Sequence, residues 1–324
     1  MIRLGLMGCA DIALRRMIPA VAATEGIELA AVASRNPDTA RFVAQCADAE
    51  PVDDYRALLE RPDIDAVYIP LPPVMHAEWI GRSLRAGKHV LAEKPLTISY
   101  ETTSEMVALA RASHLVLREN YMFLHHGQHR RVRELLDEGA IGDLRSFSAS
   151  FAIPARPPQD IRLRPELGGG ALFDVCGYPL RAAQLLLGSD LKLLGSGLRL
   201  DPRQRVDIGG SALLRRADGV TAQLTFGMDH QYTSEYELVG SAGRISLRHA
   251  FTPPVDHRPV LRIERGTCQE ELVLQQEDQY AAAVAAFVQD IAGNNTAVDP
   301  ATVRQAGFIA AIRRTADRSC GCAS

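Results

Sequence analysis

At 324 residues the chain exceeds the usual size of one hydrophobic core, so two domains, or one large domain with an appended sheet, are expected. Its formal net charge of -3 leaves no basic surface for nucleic acid or anionic lipid, and no apolar run approaches the roughly 20 residues of a membrane span. The six cysteines (Cys9, Cys46, Cys176, Cys268, Cys320 and Cys322) are scattered without paired metal spacing, and no leader-like segment precedes the first strand, a pattern of reduced thiols in a cytoplasmic protein. Cys320 and Cys322 flank Gly321 in a frayed tail and are given no role.

From Met1 to about Glu119, short apolar runs alternate with helical patterns. Strands are predicted at Leu4–Met7, Glu28–Ala33, Ala66–Ile69, His89–Ala92 and Val116–Leu117, with amphipathic helices between them at Asp11–Ala23, Pro37–Cys46, Tyr55–Leu59, His76–Ala86 and Ser99–Ser113. That rhythm implies α/β architecture, a doubly wound parallel sheet of Rossmann type covering residues 1–120.

Beyond Tyr121 the texture changes. A helix at Gln128–Glu138 is followed by strand patterns at Ser146–Ala152, Val206–Arg215, Thr221–Phe226, Tyr236–Val239 and Val260–Glu264. Strands in succession without helices between them imply an antiparallel sheet, so residues 121–324 are expected to form an α+β domain. Helices at Gln279–Ile291 and Thr302–Ala316 close the chain.

The turn after the first strand, Gly5-Leu-Met-Gly8-Cys-Ala10-Asp11-Ile12-Ala13, opens the first helix, where a dinucleotide fold brings backbone amides to a pyrophosphate. Gly8, Ala10, Asp11 and Ile12 are the candidate contacts, although two glycines of the common fingerprint are alanines here. Read as structure alone, the segment is a tight strand-to-helix turn. At the end of the second strand, Ser34 and Arg35 supply a hydroxyl and a guanidinium and no carboxylate, which favours NADP over NAD. Two further segments end strands of the same sheet: Tyr68-Ile-Pro-Leu-Pro-Pro73 with His76, and Glu93-Lys94-Pro95. Leu71, Pro72, His76, Glu93 and Lys94 are therefore candidate cofactor contacts. Pro95 stiffens the turn that would aim Lys94 at a substrate.

These motifs, with Ala86-Gly-Lys-His-Val-Leu-Ala-Glu93-Lys94-Pro95 and Gly168-Gly-Gly-Ala-Leu-Phe-Asp174, resemble the Gfo/Idh/MocA oxidoreductase family over nearly the whole chain. The resemblance implies a Rossmann domain joined to one built on a large open, mostly antiparallel sheet, whose face mediates homodimers or homotetramers. A finer likeness, to nucleotide-sugar 3-ketoreductases of deoxysugar biosynthesis, rests on Glu119-Asn-Tyr-Met-Phe-Leu-His-His126 with Gln128 and His129, on Asp160-Ile-Arg-Leu-Arg-Pro-Glu-Leu-Gly-Gly-Gly-Ala-Leu172, and on Phe251-Thr-Pro-Pro254. It implies NADPH-dependent reduction at C3 of a dTDP-linked 3-keto-6-deoxyhexose, with Tyr121, Phe123 and His125 as substrate contacts. Asp174 and Tyr178 match family positions that often read Asp and His, and i,i+4 spacing would put both on one helix face.

Carbonyl reduction needs a proton donor or cation at the oxygen that gains charge. Lys94 can be both, Tyr178 can be a second donor, and Asp174 can hold a substrate hydroxyl or Lys94. Arg162 and Arg164 match a diphosphate bidentately and read equally well as solvated loop arginines. His125, His126 and His129 lack an accompanying acidic or cysteine set, so they are read as cleft lining or helix caps and no metal is expected. A free-sugar or polyol dehydrogenase, a cofactor-retaining glycosidase and a non-catalytic nucleotide sensor are the rival functions for this scaffold.

Overall fold

The computed structural model describes residues 1–203 and 205–321; Cys322 and the side chain of Cys320 lie outside the described residues. It falls into two units, Met1–His125 with Asp278–Val303, and His126–Glu277 with the chain from Arg304 onward.

The first unit holds a six-stranded parallel sheet of β1 (Ile2–Met7), β2 (Ile27–Ala33), β3 (Glu50–Val52), β4 (Ala66–Ile69), β5 (His89–Ala92) and β6 (Leu117–Glu119), in the order β3-β2-β1-β4-β5-β6. Its helices are α1 (Ile18–Ala22), α2 (Pro37–Cys46), α3 (Tyr55–Glu60), α4 (Pro73–Arg85) and α5 (Tyr100–Ala112). All four residues of β4 are buried, as a parallel strand covered on both faces requires. Side chains start the helices: Asn36 accepts from the amides of Asp38 and Thr39, Asp54 from Arg56 and Ala57, and Ser99 from Thr102. The order reverses direction between β1 and β4, and ligands of such sheets bind at the carboxyl ends of the strands at that switch point.

Two details depart from the sequence reading. β3 was not foreseen, because Glu50-Pro-Val is a short edge strand with exposed Glu50 and Pro51 and no apolar run. The helix expected over Asp11–Ala23 begins with a wide turn, Ala13–Met17, closed by the Ile18 amide on the Ala13 carbonyl, before α1 takes over. Pro19, with no N–H to give, sits at the start of α1, where its missing donor does least harm.

The second unit holds α6 (Gly127–Asp137), β7 (Leu144–Ala152), α7 (Ala171–Asp174), α8 (Gly177–Leu187), β8 (Leu191–Asp201), β9 (Val206–Arg216), β10 (Thr221–Gly227), β11 (Thr233–Gly240), β12 (Arg244–Arg248), β13 (Val260–Arg265) and β14 (Cys268–Val273). The eight strands form one sheet in the order β14-β13-β12-β11-β7-β10-β9-β8, antiparallel except where β7 meets β10. Alternation on β7 shows why one face packs: Phe147, Ala149 and Phe151 are buried while Ser146, Ser148 and Ser150 point the other way. α9 (Gln279–Ala292) and α10 (Pro300–Gly321) end the chain.

α8 contradicts the expected run of strands without helices. It is buried at nearly every position, Arg181 and Gln184 included, so it shows no polar stripe to mark a helical period. Strands β8, β12 and β14 were also unforeseen: β8 carries Gly195 and Gly197, β12 is five residues long, and β14 is a mostly exposed polar edge. The contact division also differs from a single boundary near residue 120, since α9 groups with the first unit. The Arg118 guanidinium reaches Asp290 of that helix at 2.7 Å and the carbonyls of Asn295 and Ala297 beyond it.

Candidate active site

In the first unit the turn after β1 is shaped for close approach by a ligand. Gly8 has φ +104°, its amide donates to the Ala33 carbonyl at 2.8 Å, and an added Cβ would lie 2.7 Å from Leu71 Cδ2. Only glycine combines that conformation with contact against the exit of β4. The Ala10 carbonyl accepts from Ala13 and Leu14, so the helical turn opens there, and Ala13 is fully buried, as a small residue between helix and sheet must be. Asp11 is exposed and pairs with Arg15, while Ile12 continues with helical dihedrals.

At the end of β2, the nearly buried Ser34 hydroxyl accepts from the Asn36 amide at 3.2 Å and bonds the Cys9 thiol, whose pKa is raised by burial. Arg35 is exposed and faces the Tyr55 hydroxyl. Tyr55 is held edge-on against Trp79, ring centroids 5.1 Å apart. This edge of the crevice presents hydroxyl and guanidinium groups suited to a ribose phosphate.

The Glu93-Lys94-Pro95 turn leaves β5 between two neighbouring strand ends. The Glu93 amide donates to the Ile69 carbonyl at 3.1 Å, and the Asn120 amide to the Ala92 carbonyl at 2.8 Å. Glu93 Oε1 accepts from Tyr68 Oη at 2.8 Å and Asn120 Nδ2 at 2.7 Å. Lys94 is half-buried, and Leu96 donates its amide to Glu119 Oε1 at 2.8 Å. His76, expected to touch cofactor, is fully buried with Nδ1 2.8 Å from the Pro95 carbonyl and Nε2 2.7 Å from the Leu71 carbonyl. Its place is behind the surface, tying the β4 exit, Leu71 and Pro72, to the lysine turn. Tyr121 and Phe123 are buried and pack edge to face at 6.2 Å, so the structure gives them a core position, whereas His125 is exposed.

In the second unit, Asp174 ends α7 and Tyr178 lies in the first turn of α8. The chain between them bends, with the Cys176 amide reaching back to Ala171, so the two are not on one continuous helix face as i,i+4 spacing implied. Asp174 Oδ2 accepts from Arg162 Nε at 2.8 Å, and Asp160 lies 3.3 Å from Arg162 Nη1. Asp174, and then Asp160, raise the pKa of that guanidinium against the cost of its burial. Arg164 is different, being half-exposed and paired with Glu166. The Tyr178 ring is 5 % exposed and lies 4.6 Å from Phe151 and 5.9 Å from Phe251. The glycine triplet ends at Gly170, φ +117°, where a Cβ would collide with the Asp207 carboxylate that accepts the Leu172 amide.

Of the three histidines, His126 caps α6 through the Gln128 amide, and His129 is fully buried between the Tyr236 hydroxyl at 3.0 Å and the Ala250 carbonyl at 2.9 Å. Among the described residues no three potential ligands cluster as a metal site. Tyr68, Asn120, Tyr55 and Asp207 were missed as site residues. The signal for Asn120 was present: Ala92 pairs with Glu119, so Glu93 and Asn120 must leave neighbouring strands side by side.

Comparison with known proteins finds relatives that match nearly the whole chain. A family model described as an oxidoreductase family with an NAD-binding Rossmann fold matches residues 2–121, and a GFO/IDH/MocA C-terminal domain model matches residues 129–246. A dTDP-3,4-didehydro-2,6-dideoxy-alpha-D-glucose 3-reductase from Streptomyces violaceoruber is 52% identical over 326 residues, covering 97% of this chain and 95% of the relative. The crystal structure of a 3-ketoreductase from Actinomadura kijaniata in complex with NADP and TDP-benzene matches with a TM-score of 0.94 at 50% identity, covering 97% of each chain. Solved variants of that reductase carry alanine in place of a lysine, or phenylalanine in place of a tyrosine.

Proposed function

The chain belongs to the Gfo/Idh/MocA oxidoreductase family, and from that premise we propose that it reduces the C3 keto group of a dTDP-linked 3-keto-6-deoxyhexose, a 3,4-diketo-2,6-dideoxyhexose in particular, with NADPH. The observation that carries this reading is the Glu93-Lys94-Pro95 turn at the carboxyl end of β5, in the same parallel sheet whose switch point holds the Gly8 turn. Identity of 52% to a 3-reductase of that substrate class supports the choice of sugar.

The residues present fit an NADP molecule. Gly8 turns the chain at a positive φ that a side chain packed against Leu71 would not allow, Ala10 to Ile12 begin a helical turn beside it, and Ser34 with Arg35 offers a 2′-phosphate a hydroxyl and a cation. Bound there, NADPH would supply the hydride. Lys94 would donate a proton, as general acid, to the oxygen that gains charge. Tyr178 is the second donor, and Asp174, fixed by Arg162, orients a sugar hydroxyl. Arg162 and Arg164 are the candidate diphosphate contacts, with Arg164 freer to turn because its partner Glu166 is an exposed neighbour.

Self-association through the open face of the eight-stranded sheet belongs to the same proposal, giving a homodimer or homotetramer. That face bears a depression of about 460 Å³ among Ser148, Ser150, Glu235, Glu237, Arg248 and Arg262, a mixture of both charges suited to a second copy. No helix among the described residues is long and apolar enough to cross a membrane, and a cytoplasmic location is part of the proposal.

The decisive assay follows NADPH oxidation with enzymatically generated dTDP-3-keto-6-deoxyhexoses, with NADH and free keto sugars in parallel. Turnover confined to NADPH and the dTDP-linked ketones is the expected result. Turnover of free sugars alone would transfer the chain to the dehydrogenases, and absence of turnover with any ketone would make it a sensor.

A further inference from the structure

Three strand ends converge on one carboxylate in the first unit. Tyr68 comes from β4 and is 1 % exposed, Glu93 follows β5, and Asn120 follows β6 and is 2 % exposed. Both neighbours donate to the same oxygen, Glu93 Oε1, at 2.8 and 2.7 Å. The other oxygen, Oε2, lies 3.4 Å from the amide of Lys94, at the edge of hydrogen-bond range. Two strong donors to an ionised group hold it far more firmly than its own three side-chain torsions would. The carboxylate thus braces the turn from the strands on either side, and His76 braces the far end of the same turn at the Pro95 carbonyl.

From this convergence we infer that Tyr68 and Asn120 are positioning residues for the reduction, acting on Lys94 only through the Glu93 carboxylate. The inference rests on the proposed role of Lys94 as proton donor. Neither residue needs to meet substrate. Their task is to fix the carboxylate against the lysine turn, so that the ammonium is held where the ketone oxygen arrives and the charge beside it is constant. A misplacement of about 1 Å at such a donor can cost 10²-fold in rate, so two hydrogen bonds behind the turn bear directly on kcat.

The test is a double-mutant cycle. Tyr68→Phe keeps the buried ring and deletes one donor; Asn120→Ala deletes the other. Each is expected to lower kcat about tenfold, with KM for the sugar nucleotide and the Kd of NADPH, read by fluorescence titration, changed less than twofold. In a Glu93→Gln background, itself impaired, either substitution should change kcat by less than twofold further. Full multiplicative losses in that background, or single variants with parental kcat, would overturn the inference. Should kcat and the thermal midpoint fall while KM and Kd rise together, the residues are merely structural and the inference is likewise overturned. Lys94→Met separates the two levels: near-parental turnover in that variant removes the lysine from the chemistry, whereas an inactive Lys94→Met alongside parental Tyr68→Phe and Asn120→Ala refutes only the positioning.

Discussion

The Lys94 turn and the Asp174–Tyr178 segment bear similar polar groups on unlike supports. Around Lys94, main-chain hydrogen bonds between parallel strands set the path, and Glu93, Tyr68 and Asn120 follow from strand register. Around Asp174, the backbone bends between two helices, and side chains hold the geometry: Arg162 on the carboxylate, and Phe151 and Phe251 on the Tyr178 ring. A site on a register is fixed by the fold itself, while a site on packed side chains can be altered one contact at a time. Under the proposed function, Lys94 would stand on the first support, where tolerance for displacement is least, and Tyr178 with Asp174 on the second.

The largest test of that contrast is Lys94→Met. With NADPH affinity intact, kcat should fall 10²–10⁴-fold, the usual worth of a general acid, in single-turnover measurements. Retention of most activity would put the chemistry elsewhere and leave the register argument without its subject.

Next in size is Gly170→Ala. A positive-φ glycine replaced by alanine costs on the order of 1–3 kcal/mol in strain, and the added methyl also meets the Asp207 carboxylate that caps the start of α7. Urea denaturation should show a loss of at least about 2 kcal/mol, with substrate KM raised because the Arg162–Asp174 pair is built on this loop. An unchanged midpoint and KM would mean that the loop is not a support at all. Smaller again is Tyr178→Phe, which keeps the ring against Phe151. It should lower kcat about tenfold, the worth of roughly one hydrogen bond to a charged group, with stability unchanged. A loss as large as that of Lys94→Met would exchange the roles of the two donors.

The same contrast explains what the sequence disclosed. The central strands, the Gly8 turn, Ser34 with Arg35 and the Lys94 turn were readable because parallel strands are continuous apolar runs that end in short motifs. The antiparallel half was read only in part. α8 is buried on nearly all sides, β8 is interrupted by Gly195 and Gly197, and β14 is mostly exposed, so each lacks the periodicity that names its type. The bend at Cys176 hides behind i,i+4 spacing, and the partner of Arg162 depends on how a Pro- and Gly-rich loop folds back, which no local pattern encodes. Asn120 was legible only once β5 and β6 were put in register.

The smallest predicted effect compares two buried histidines, one in each unit. His129, pressed between Tyr236 and the Ala250 carbonyl, has its pKa pushed down to about 3, first by burial and then by His126. His76 is also lowered by burial, but the Pro95 and Leu71 carbonyls and the Glu93 carboxylate all favour its proton and oppose that shift. An unfolded histidine takes up its proton near pH 6.5. Below that value the unfolded chain binds a proton that native His129 refuses, so stability is full above pH 6.5 and falls as the pH drops toward 3, by at most about 1.4 kcal/mol per unit. Replacing His129 with Gln should cost about 1–2 kcal/mol at pH 8 through weakened hydrogen bonds. It should also flatten the decline of urea stability between pH 6 and 4, since glutamine does not titrate. His76→Gln should flatten it less, because carbonyl and carboxylate partners already offset part of the burial. Equal slopes for the parent and the His129 variant would show that this histidine takes up its proton in the native state, and that the packed half of the molecule is softer than its side-chain contacts imply.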